Sequence, residues 1–139
     1  MRILILFSML LLLCNCNIHK KSTEQELLLI LKSFNLKIQD NTVYLLIPSN
    51  TCYGCRRKTI DTLSQLSSIK KLNIIVITSD ISLLTYNKLP YKMILDTHHI
   101  VDRSRYFKEK ITLYQPNKQE CSIKQFEQYS IDSIYIYLR

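Results

Sequence analysis

Val43-Tyr44-Leu45-Leu46-Ile47-Pro48-Ser49-Asn50-Thr51-Cys52-Tyr53-Gly54-Cys55 is the stretch on which the fold turns. Its first five residues form a continuous apolar run, the composition of a strand buried on both faces. Pro48 cannot donate to a β-ladder, and Ser49-Asn50 favours a turn, so the strand ends there. Beyond the cysteines, Ile60, Leu63 and Leu66 recur at helical spacing while Asp61, Gln65 and Ser68 fall on the other side. That pattern predicts an amphipathic helix over 56–68, with the cysteines at its N-terminus. Free backbone N–H groups and the helix dipole there stabilise a thiolate and lower its pKa. Cys55 lies one helical turn from Cys52, close enough to close a disulfide or to share a metal. Gly54, the only glycine in the chain, stands between them and predicts a tight backbone.

Working outward, residues 72–78 (Leu-Asn-Ile-Ile-Val-Ile-Thr) form a second apolar run. A helix between two such runs implies a parallel βαβ unit. Ser79-Asp80 is placed to cap a short helix over 81–89, and Met93-Ile94-Leu95 is a third short apolar run. Residues 111–115 and 121–126, separated by Pro116-Asn117-Lys118-Gln119, predict an antiparallel hairpin. Ser130 is placed to cap a last helix using Ile131, Ile134, Tyr135 and Leu138, although Tyr-Ile-Tyr-Leu suits a strand equally. Upstream, 22–35 predicts a helix with Thr23 and Glu26 as a capping box and an apolar face of Leu27, Leu28, Ile30, Leu31 and Phe34. A short strand over 36–39 and a turn at Asp40-Asn41 then lead into the main strand.

The chain has 139 residues and a formal net charge of +8. It has room for one domain of about 110–120 residues once its start is set aside. The lysines and arginines are scattered, with no long basic run or interleaved aromatics, so the charge describes a solvated surface and not a nucleic-acid face. The same charge suits proximity to an anionic membrane. Met1-Arg2 followed by the apolar residues 3–13 has the length of a signal-peptide core and is too short to span a bilayer. That core runs into Cys14-Asn15-Cys16 and turns polar at His19, Lys20 and Lys21, which resembles a bacterial lipoprotein signal. Cys16, or else Cys14, is then the lipidated residue, although Asn15 and Leu13 replace the small residue that such signals carry before the cysteine. An ordinary secretory signal or an uncleaved anchor is the alternative, and all three export the chain to a compartment that permits disulfides.

The order strand, Cys-x-x-Cys at a helix start, parallel strand, connection, hairpin and closing helix resembles the thioredoxin fold. In particular it resembles the lipid-anchored, exported thioredoxin-like proteins of Bacteroidetes-type bacteria. The resemblance extends over 36–139 as topology, with 1–16 as signal peptide and 17–35 as an N-terminal helical segment. Its specific motif is Cys52-Tyr53-Gly54-Cys55. It implies an α/β fold with a central mixed sheet, a parallel βαβ unit plus a C-terminal β-hairpin, flanked by helices. It also implies a Cys52–Cys55 redox disulfide in which Cys52 attacks and Cys55 resolves, with Thr51, Tyr53 and Gly54 meeting the substrate. The expected function is thiol–disulfide exchange by a monomer without cofactor or metal, acting on the thiols and disulfides of exported proteins. Two departures stand out. Thr51 occupies the place of the family's tryptophan. No proline precedes 111–115 near Lys110, where the family has a cis-proline before the hairpin. Pro90 could stand in only if 91–95 were the hairpin's first strand.

Arg56, Arg57 and Lys58 crowd the first helical turn, where the dipole disfavours cations. They imply either a compensating thiolate or a well-solvated corner. Cys121 is left over as a small buried residue or a third redox thiol. His98-His99, flanked by Asp96 and Asp102, invites a zinc or copper reading with the two thiolates, but adjacent histidines on an extended segment point opposite ways. A surface loop is the simpler expectation. A soft-metal binding protein, and a degenerate fold whose disulfide is only structural, are the alternative functions.

Overall fold

The structure is a computed structural model and describes residues 21–67, 73–85, 91–116 and 123–138. The chain divides into two compact units, Met1–Lys37 and Ile38–Arg139.

In the first unit, α1 is helical over 21–33, with Leu27, Ile30 and Leu31 as its buried residues. Helix α1 is already under way at Lys21, so Thr23 lies inside it and is not its N-cap, contrary to the capping-box expectation. Its C-terminus is built around Asn35, whose φ of 55° is left-handed. Leu36 N–H donates to Leu31 O at 3.1 Å and Asn35 N–H to Lys32 O at 2.9 Å, the paired bonds that satisfy terminal carbonyls in a Schellman stop.

The second unit is a five-stranded mixed sheet of order β3-β2-β1-β4-β5. The strands are β1 (Thr42–Ile47), β2 (Asn73–Thr78), β3 (Lys92–Leu95), β4 (Ile111–Tyr114) and β5 (Ile123–Phe126). Strand β1 pairs parallel with β2, in register from Thr42 on Asn73 to Ile47 on Thr78, and antiparallel with β4. Helix α2 (Tyr53–Ser67) joins β1 to β2, so the βαβ unit expected from the two apolar runs is present. Strands β4 and β5 form the expected antiparallel hairpin, and a short helix, α3 (Ile134–Leu138), closes the chain. The last segment is thus helical, entered through a 3-10 stretch (Gln128–Ser133) that contains Ser130.

Both faces of the sheet are buried. On one, Val43, Leu45, Ile47, Ile74, Val76, Ile111, Leu113 and Phe126 pack with Ile60 and Leu63 of α2 and Ile134 of α3. Phe126 and Tyr137 meet edge to face at 5.8 Å, which seats α3 on β5. On the other, Tyr44, Leu46, Ile75, Ile77 and Tyr114 are buried, and the Tyr44 and Tyr114 rings lie 6.0 Å apart. This two-sided burial is why β1 and β2 show continuous apolar runs and not alternation.

Three elements differ from the sequence reading. Residues 36–39 form no strand: Ile38 is exposed, and Gln39 N–H donates to the Tyr44 hydroxyl at 3.0 Å and not to a ladder. Alternating polarity there found no place beside β1, the strand it leads into, because β1 is paired on one side by β2 and on the other by β4. The expected helix over 81–89 is a 3-10 turn (Ile81–Thr85) capped by Asp80, with residues 86–90 outside the described ones. The helix after the cysteines begins earlier, at Tyr53.

Candidate functional site

Strand β1 runs through the middle of the sheet and delivers the chain to Pro48, where a tight turn begins. Thr51 N–H and Oγ1 both donate to Pro48 O, at 3.4 and 2.8 Å. Cys52 follows as the N-cap of α2. Its carbonyl accepts from Arg56 N–H at 3.1 Å, and its Sγ accepts from Cys55 N–H at 3.0 Å. The sulfur thus occupies the place of a capping serine oxygen and satisfies one of the orphan N–H groups of the first turn. Cys52 and Cys55 stand at disulfide distance, with Cα atoms 5.2 Å apart. Cys52 is exposed, whereas Cys55 is 7% exposed and belongs to the apolar core. The two sulfurs therefore differ in what can reach them.

A cleft of about 150 Å³ opens beside the pair. It is lined by Asn50, Thr51, the two cysteines, the buried Ile111 and Phe126, and the exposed Glu109. Among the other residues expected at the site, Thr51 lines this cleft, while Tyr53 and Gly54 are exposed on the first turn of α2. Gly54 does not mark a tight backbone: its φ is not positive, and a Cβ built on it meets nothing within 4 Å. Strand β4 is the first strand of the hairpin, so the residue before it is Lys110, and β3 is a parallel edge strand. Pro90 therefore cannot take the hairpin-proline role, and it lies outside the described residues, as do Cys14, Cys16 and Cys121.

Two polar assemblies hold the cysteine loop. In the first, Arg56 turns back from α2: its guanidinium donates to the Ser49 and Thr51 carbonyls and makes an ion pair with Asp80 at 2.8 Å. The Arg56 and Asp80 side chains are 12% and 13% exposed. Tyr53 lies against the same guanidinium, 5.8 Å from ring centre to Cζ. Arg56 is thus not part of a solvated corner but a clamp between the loop and the end of β2. Arg57 and Lys58 are exposed, as a solvated face requires. In the second assembly, Asp102 accepts from Ser49 N–H at 2.8 Å and from Ser49 Oγ at 2.6 Å, and meets His99 Nδ1 at 2.9 Å. Burial pushes the Asp102 carboxyl up, but the hydrogen bonds from Ser49 and His99 outweigh it and hold it below its ordinary value. The nearby Ser79 hydroxyl, which makes no well-formed hydrogen bond, adds to that pull.

Asp102 reaches the site through an anchored connection. Asp96, buried, accepts from Val101 N–H at 2.8 Å through Oδ2, and Val101 and Phe107 are buried beneath the loop. His99 has a left-handed φ of 51°. Ser49, His99 and Asp102 do not form a hydrolytic triad, because the serine donates to the carboxylate and no imidazole stands between them to take its proton. Among the described residues no three His, Cys, Asp or Glu side chains converge to hold a metal. None of Asp80, Asp102 and Glu109 carries a local sequence signal for this site, since each arrives by long-range packing.

The fold and the site together define an α/β protein presenting a Cys-x-x-Cys pair at a helix N-terminus above the centre of a mixed sheet. Compared with protein-family models, curated proteins and solved structures, the chain matches none. No helix among the described residues is long and apolar enough to cross a membrane.

Proposed function

We propose that this chain is a thioredoxin-like protein that carries out thiol–disulfide exchange on exported proteins. The observation that carries the reading is the asymmetry of the pair: Cys52 is an exposed residue whose Sγ accepts an N–H from Cys55, while Cys55 is buried against the core. A capping N–H and the helix dipole favour the thiolate at Cys52 over the thiol. In the exchange, Cys52 thiolate attacks one sulfur of a partner disulfide, forming a mixed disulfide and releasing the other partner sulfur as a thiolate. Cys55 thiolate then attacks Cys52 Sγ, closing Cys52–Cys55 and releasing the second partner thiolate. The partner gains two electrons and this protein loses them; the reverse sequence oxidises a dithiol. The cleft with Thr51, beside Tyr53 and Gly54, is where the partner segment lies. Export and anchoring through Cys16 or Cys14 belong to the same reading and rest on the sequence pattern of residues 1–16.

Equilibration in glutathione buffers followed by alkylation and intact mass tests the proposal. A reversible two-electron transition between about −120 and −270 mV places Cys52 and Cys55 among working exchange catalysts. A pair still oxidised below about −300 mV is a structural disulfide and sinks the reading. In the reduced protein, Cys52 alkylates before Cys55.

A further inference from the structure

The cleft beside the cysteines is small and carries one charge. Its volume, about 150 Å³, is well below the roughly 300 Å³ at which pockets for small ligands begin. A single side chain of an extended polypeptide fits that space, beside the apolar Ile111 and Phe126. Glu109 is the only ionised side chain among the lining residues. It is 71% exposed, and Lys108, 3.9 Å away and itself half exposed, makes with it an ion pair that neutralises little. Two cations next in sequence to lining residues are occupied elsewhere: Arg56 on Ser49, Thr51 and Asp80, and Lys110 on Glu127 at 2.7 Å. On a chain with a net charge of +8, the partner-facing cleft thus presents an exposed carboxylate.

We infer that Glu109 is a specificity-determining residue that selects partner segments carrying Lys or Arg beside the reactive cysteine. The inference rests on the exchange reading above. A basic flank finds a compensating carboxylate there, whereas an acidic flank meets a like charge while its cysteine is held at Cys52. Because the carboxylate is solvated, the discrimination is modest in size, depends on ionic strength and falls mainly on the rate of encounter.

The test uses the reduced full chain and two symmetric peptide disulfides, identical except for Lys or Glu next to the cysteine. Each is mixed with protein in a single turnover, quenched with acid and followed by mass spectrometry. The ratio of the two rates cancels any change that Glu109 makes in the reactivity of Cys52 itself. In low salt the Lys peptide is expected to react about 5-fold faster, with the ratio collapsing toward one near 1 M salt. E109Q should bring the ratio near one, and E109K should invert it. Equal rates for both peptides, unmoved by E109K, overturn the role of Glu109 and leave the exchange reading standing. No reaction with either peptide overturns the exchange reading, and this inference with it.

Discussion

Replacing Asp102 with alanine removes the carboxylate that ties the connection before β4 to the start of the cysteine loop. Two charged hydrogen bonds to Ser49, at 2.8 and 2.6 Å, are lost at a side chain only 9% exposed. Each bond to an ionised group contributes about 1.5–3 kcal/mol. Ser49 is half-buried, so water can satisfy part of what it loses, and the low end of that range applies. The His99 contact adds little, since that ring is 58% exposed. The expected cost of Asp102→Ala is therefore about 3 kcal/mol, or a fall in Tm of about 12 °C for a domain of this size. Urea and thermal melts of the protein, D102A, D102N and H99A at pH 7 measure it, with H99A expected within about 0.5 kcal/mol of the parent. The pH dependence has a fixed sign. The folded-state pKa of Asp102 is lowered from 3.8, so its contribution is present above pH 3.8 and is lost as pH falls through the lower folded value. The gap between the parent and D102N should accordingly close in that acid window. A gap that stays constant from pH 7 into that window, or a D102A cost no larger than that of H99A, would refute the strap.

Three further outcomes are expected. Arg56→Ala leaves Asp80 without its cation, although Ser82 N–H at 3.0 Å and Ser82 Oγ at 2.6 Å still serve the carboxylate. A loss of about 2–3 kcal/mol in urea melts follows, R56K recovering only part of it because lysine lacks the fork, and R57A costing under about 0.5 kcal/mol. Gly54→Ala, on an exposed first turn with open space around its Cβ, should be neutral or stabilising by about 0.5 kcal/mol; a loss above about 1 kcal/mol would mean that the turn needs glycine after all. Burial pushes the Tyr91 phenol up to about 12, with Asp61 adding and Ser64 opposing, so stability should fall as pH rises from 10 toward that value. Y91F should flatten that alkaline decline in pH-dependent melts, and an unchanged slope would remove Tyr91 as its source.

Sequence reading succeeded where the physics is local or where burial leaves a long apolar signature. Strand β1 and the apolar run that becomes β2 were legible because both faces of the sheet are covered, which demands unbroken hydrophobic residues at each. The cysteine pair at a helix start was legible because capping and the helix dipole act within one turn. Residues 36–39 were misread because period-two alternation says nothing about which strands pair, and both sides of the adjoining β1 are taken by β2 and β4. Gly54 was misread because a glycine's rarity in a chain is no measure of its backbone angles.

The sequence by itself determined that Cys52 and Cys55 begin a helix behind a buried strand, that a parallel unit is followed by a hairpin, and that the chain is strongly basic. Only the tertiary structure decided which residues hold the loop between β1 and α2. Ser49 and Asp102 are 53 residues apart, and Arg56 finds Asp80 across the end of the sheet. A carboxylate or guanidinium reaches only a few ångströms, so such partnerships exist only once the strands have brought distant stretches of chain together. No spacing in the sequence can encode them.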